Sequence, residues 1–144
     1  MTRRKWERGS AAVEVAIATP LLMMIVMLVA AGGRLALAQG SVQQAAADAA
    51  RSASIARTAG AATATGQSAA STTLATQGLH CLSSSVTINT SGFGVAVGSQ
   101  ARVSATVSCT VRLADLGLSG MPGSKVITAT ISSPLDTYRG RTGS

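Results

Sequence analysis

The chain has 144 residues, a formal net charge of +7, 47% apolar residues and 2% aromatic ones. That length allows one domain, and an apolar content made mainly of Ala and Val buries little area per side chain, so any soluble core is thin. Beyond residue 8 the cations stand singly, with no interleaved aromatics, which argues against a nucleic-acid-binding surface.

The first nine residues hold Arg3, Arg4, Lys5 and Arg8 against a single carboxylate, Glu7. An excess of Lys and Arg beside an apolar run marks the cytoplasmic flank of a membrane span. Gly9, Ser10, Ala11, Ala12, Val13 and Glu14 follow. Residues 15–33 then carry no charge and are bounded by Glu14 and Arg34. As a helix they rise about 28 Å, enough for one crossing of a hydrocarbon core. Pro20, preceded by Thr19, removes one intrahelical bond and is expected to bend the helix locally. Inside a membrane the carbonyl it frees needs a nearby hydroxyl or a neighbouring helix.

A carboxylate costs roughly 2–3 kcal/mol or more at the centre of a span, so Glu14 at its edge invites a functional explanation. A rival reading makes the run a removable signal, because Ala36-Leu37-Ala38 fits the small-residue rule for cleavage before Gln39. Against it, nineteen residues exceed the 7–15 of a signal core, Arg34 intervenes, and Glu14 has no purpose there. The anchor reading is favoured. The alternatives are a secreted small binding protein released after Ala38 and an uncleaved, membrane-anchored envelope protein.

From Leu35 the apolar positions Leu35, Ala38, Val42, Ala45, Ala49, Ala53 and Ala56 recur in steps of three and four. That period predicts one amphipathic stripe on a single rod leaving the membrane, and Ala favours it as the best helix former. Asp48 and Arg51 are spaced to pair on its surface. Residues 60–76 are rich in Ala, Thr, Ser and Gly and fit either a loose helix or a flexible connector.

From Ser83 the period shifts to two. Val86 and Ile88 alternate with Ser85, Thr87 and Asn89. Ala101 to Leu113 alternates strictly, with Ala101, Val103, Ala105, Val107, Cys109, Val111 and Leu113 on one face. Ile127, Ala129 and Ile131 repeat the pattern, and Ser91-Gly92-Phe93-Gly94 and Gly120-Met121-Pro122-Gly123 supply turns. Three strands with one apolar face need a cover, and the Ala-striped helix is the available partner. The expected fold is α+β: a single-pass N-terminal transmembrane helix running into a long Ala-rich helix, then a small antiparallel sheet of about three strands. The expected division is a leader at 1–9, an anchor at 10–34, a helix and connector at 35–82 and a small β domain at 83–144.

Cys81 and Cys109 lie far beyond the span, on the oxidising side if the leader is cytoplasmic. Cys109 points into the apolar face, so a bridge to Cys81 would tie the helix end to the central strand. The other reading is two unpaired thiols. Catalysis finds little support. His80 adjoins Cys81, but neighbouring residues of an extended segment point apart, and Asp115 and Asp136 lack a second carboxylate for acid–base work. No phosphate loop, metal cluster or cofactor motif is present, and no small-molecule substrate or nucleic acid is implied.

The order Arg8-Gly9-Ser10-Ala11-Ala12-Val13-Glu14 before an apolar helix resembles the class III processing site of type IV pilin-like proteins. More narrowly, it resembles the TadE-like minor pilins or pseudopilins of tight-adherence (Flp) pilus systems. The Ala-Ala-Arg stretch ending Asp48-Ala49-Ala50-Arg51 extends the resemblance, and Ser133-Pro134-Leu135-Asp136-Thr137-Tyr138-Arg139 has the look of actinobacterial members. Val15 departs from the family, many members of which carry Phe after the Glu. The resemblance implies that a prepilin peptidase cuts between Gly9 and Ser10 on the cytoplasmic face. It further implies that Glu14 pairs with the new α-amino group of Ser10 on a neighbouring subunit. The plainer reading of Glu14 is a carboxylate snorkelling to the headgroups. Implied partners are membrane lipid, the peptidase, other pilin-like subunits and pilus assembly proteins. The implied role is pilus or secretion-machine assembly, with the C-terminal part outside the cytoplasm.

Overall fold

The structure, a computed structural model, describes residues 7–117, 120 and 122–140, with side chains from residue 12 onward. Residues 1–6 of the expected leader and Met121 of the second expected turn lie outside the described residues. The elements in chain order are α1 (Glu7–Ser54), α2 (Ala59–Thr76), β1 (Ser83–Asn89), β2 (Arg102–Arg112) and β3 (Ser124–Pro134), with a short 3-10 turn at Ser91–Gly94 before β2. The architecture is the expected α+β, a long apolar N-terminal helix, a second helix and a three-stranded antiparallel sheet.

α1 runs through Pro20 without interruption for 48 residues. Pro20 frees the carbonyl of Ala16, four residues back. The Thr19 hydroxyl does not take it: it donates at 2.7 Å to the carbonyl of Val15, the next one along. Beyond the anchor, Ala38, Val42, Ala45, Ala49 and Ala53 are buried as the stripe requires. Ala46 and Ala50 are buried too. α1 serves two partners, so the covered arc is wider than one contact needs. α2 takes the flank carrying Asp48 and Ser52, and the sheet takes the other. The helix ends at Ser54, one step short of the last expected stripe position, and Ala56 packs only partly against the core.

Residues 60–76, left open by the sequence, form α2. Thr58 caps its start by accepting a bond from the Ala61 N–H at 3.1 Å. Its end is a Schellman closure: Leu79 N–H donates to the Leu74 carbonyl and Gly78 N–H to the Ala75 carbonyl, with Gly78 at φ +66°. Its buried residues, Ala62, Gly66, Ala70 and Leu74, recur every four, and the small ones let its backbone approach α1 closely.

The sheet order is β1-β2-β3, a meander with β2 central. β2 alternates in burial from end to end, with Val103, Ala105, Val107, Cys109 and Val111 facing the helices. In register, Cys109 stands between Ser84 on β1 and Ile127 on β3. On the outer face hydroxyls meet across strands, Thr106 with Thr130 and Ser108 with Thr128, each at 2.9 Å. β3 follows its expected pattern less fully: Ile127 is buried, Ala129 half-buried and Ile131 36% exposed. β3 is an edge strand, open along one side although α1 packs against it. The core has two parts. The larger joins α1, α2 and the middle of the sheet, and the smaller closes the end distant from the anchor around Phe93, Val103, Ala53, Ala62 and Leu135.

Candidate processing and assembly site

Gly9 and Ser10 lie in α1, near the start of its described part. At the expected cut point Gly eases local unwinding, because it stabilises a helix about 1 kcal/mol less than Ala does. Glu14 follows Ser10 by four residues, so it stands one turn on along the same side, about 6 Å up the axis. It is exposed and makes no hydrogen bond or ion pair among the described residues.

Everything around it is bare. Residues 12–30 are all exposed, including Val13, Val15, Ile17, Leu21, Leu22, Met23, Met24 and Ile25. The first buried residue of α1 among those with described side chains is Ala38, about 36 Å along the axis from Glu14. The helix that is long and apolar enough to cross a membrane therefore contributes nothing to the protein's own core along residues 12–30. Such a surface is unstable in water and suits lipid or the matching helices of other chains.

Residues 9–51 match the family model of the TadE-like proteins. The resemblance drawn from Gly9, Glu14 and the Ala-rich helix is thereby borne out, and the TadE-like segment covers both the bare and the packed parts of α1 as far as Arg51. This family is one of pilin-like proteins associated with the tight-adherence pilus, and a long apolar N-terminal helix accords with membrane anchoring in such a system. No curated protein and no solved structure matches the chain.

The cysteines form a second, separate constellation. Cys81 and Cys109 are bridged, with 5.4 Å between their Cα atoms. The bond ties the segment after α2 to the central strand, and Leu82 N–H to the Thr110 carbonyl at 2.7 Å continues the pairing beside it. A bridged sulfur is no nucleophile, so His80, which is exposed, has no thiolate beside it to activate.

The surface pair expected between Asp48 and Arg51 does not form. Asp48 instead accepts from Thr73 of α2 at 2.9 Å and from Gln44 at 3.1 Å. With α2 lying alongside, a short hydroxyl at fixed distance is a better partner than a long guanidinium free in water. Sequence reasoning also gave Arg34 only the role of a boundary charge. The structure sets it at the mouth of a cleft of about 410 Å³ shared with Leu37, Ser41, His80, Asp115 and Leu116. Arg34 directly after the uncharged run was the available signal, but the chain segments completing the cleft come from far downstream.

Proposed function

We propose that this chain is a TadE-like minor pilin or pseudopilin that takes part in assembling a tight-adherence pilus or a related secretion machine. Residues 1–9 are a cytoplasmic leader, 10–34 the anchor, and the helices and sheet beyond stand outside the cytoplasm. A prepilin peptidase removes the leader between Gly9 and Ser10. Glu14 then meets the new α-amino group of Ser10 on a neighbouring subunit, where a charge pair in low dielectric sets register more than it adds stability. The role is structural rather than catalytic.

The observation that carries the reading is the placing of Gly9, Ser10 and Glu14, which has no partner among the described residues, on one apolar helix within the TadE-like segment. The bridge between Cys81 and Cys109 supports an oxidising compartment for the C-terminal part. Burial of Ala38 supports a retained anchor, because release after that residue would strip it from the core.

Intact-mass and N-terminal analysis of the protein from its native membrane tests this directly. A mature chain beginning at Ser10 is expected, and Gly9→Leu should keep the leader attached. A start at Gln39 would establish the secreted alternative, a start at Met1 or Thr2 the uncleaved anchor, and normal processing of Gly9→Leu would remove the cleavage assignment.

A further inference from the structure

The cleft beside Arg34 sits where the chain leaves the bilayer. Its α1 residues are Arg34, Leu37, Ala38 and Ser41. Measured from Gly33, the last residue of the uncharged run, Arg34 stands about 1.5 Å up the axis, Leu37 about 6 Å and Ser41 about 12 Å. The headgroup layer on each side of a bilayer is about 5–8 Å deep. The Arg34 end of the cleft therefore lies at headgroup height when the uncharged run fills the hydrocarbon core, with Ser41 beyond it on the water side.

Its chemistry fits that height. The guanidinium of Arg34 makes no hydrogen bond or ion pair among the described residues. Gly117, at φ +89°, comes so close that a Cβ there would lie 2.9 Å from a terminal guanidinium nitrogen, so the turn after β2 yields room to Arg34. Gln77 and His80 supply further polar groups, Ser41 already donates its hydroxyl to the Leu37 carbonyl at 3.1 Å, and Leu79, Val111 and Leu116 make an apolar floor. Lys125, outside the lining, pairs in register with Val111 and shares its face, a second cation on the neighbouring strand. Asp115 is the one carboxylate in the lining. Leu37, 74% exposed, offers an apolar side chain at the same headgroup height.

We infer that this cleft binds the headgroup phosphate of an anionic phospholipid, with Arg34 as the principal contact and Lys125 as a supporting one. The lipid would fix the rotation of the domain on the membrane surface, which the uniformly apolar span cannot do by itself. The inference rests on the anchor reading above, and on no part of the processing reading.

The test uses the full chain, isotopically labelled, in nanodiscs of phosphatidylcholine with increasing fractions of phosphatidylglycerol. Phosphatidylglycerol should shift the amide resonances of Ser41, Gln77, Gly78 and His80 and leave Phe93 and Val103, at the far end, in place. Arg34→Gln should weaken the apparent affinity about fivefold, the equivalent of about 1 kcal/mol per cation near a lipid surface, and Lys125→Gln by less. Unmoved Phe93 and Val103 resonances in the variants certify the fold. Equal spectra in the two lipids, or full response by Arg34→Gln, would overturn the inference. The same shifts produced by inorganic phosphate in pure phosphatidylcholine discs would overturn the assignment to lipid. A chain that fails to co-elute with the discs defeats the anchor reading and this inference together, whereas co-elution without a phosphatidylglycerol response defeats this inference alone.

Discussion

Gly92 shows how close two backbones come at the end of the core distant from the anchor. A Cβ at that position would collide with the Arg102 carbonyl oxygen and press on Leu135, and backbone cannot swing aside as a flexible side chain can. Gly92→Ala is expected to lower stability by about 1–3 kcal/mol, the usual cost of overpacking. Gly94→Ala is the control: nothing lies within 4 Å of its Cβ position, so its effect should stay within about 0.5 kcal/mol. Chemical denaturation of the two variants side by side checks both. At Gly66 the same logic is softer, because the nearest atoms include the flexible end of Ile88 as well as the Ala49 carbonyl.

Among the elements, β2 was the most legible, since its alternation from Ala101 to Leu113 describes a strand buried on one face and nothing else. α1 was legible for the same reason at a period of 3.6, though a stripe reports that a face is covered and not by how many partners. That is why Ala46 and Ala50 went unread. α2 was ambiguous because its buried positions apart from Leu74 are Ala and Gly, which carry little hydropathy contrast with the Ser and Thr around them. The proposed processing residues were legible as a motif because they are contiguous, while the Arg34 cleft was not, being assembled from α1, the α2–β1 link and the turn after β2. The bridge between Cys81 and Cys109 holds that link to β2 across a sequence separation of 28. Replacing Cys81 by Ser and Cys109 by Ala together should lower stability by roughly 3–4 kcal/mol in the chain-entropy account. The midpoint of urea unfolding, compared with the oxidised parent, measures it; a loss below about 1 kcal/mol would mean that helix and strand packing alone holds β1 in place.

At the scale of the whole molecule, membrane attachment and folding are assigned to different stretches of one helix. Residues 12–30 bury nothing within the chain, while the buried core begins at Ala38. A fragment of residues 34–144, exported to an oxidising compartment, is therefore expected to be soluble and to unfold at the temperature of the full chain's domain within a few degrees. Circular dichroism and its melting curve check this, and aggregation or loss of the cooperative transition would refute the division. The unbroken course of α1 has a mechanical consequence. Any pull exerted on the anchor runs straight up the rod and reaches the domain as shear along a seat lined by Ala38, Val42, Ala45 and Ala49. The covalent staple does not touch α1, so it carries none of that load directly. Under tension the first joint to slip is the smooth alanine track, and the stapled hairpin and sheet would travel as one block, released from the rod.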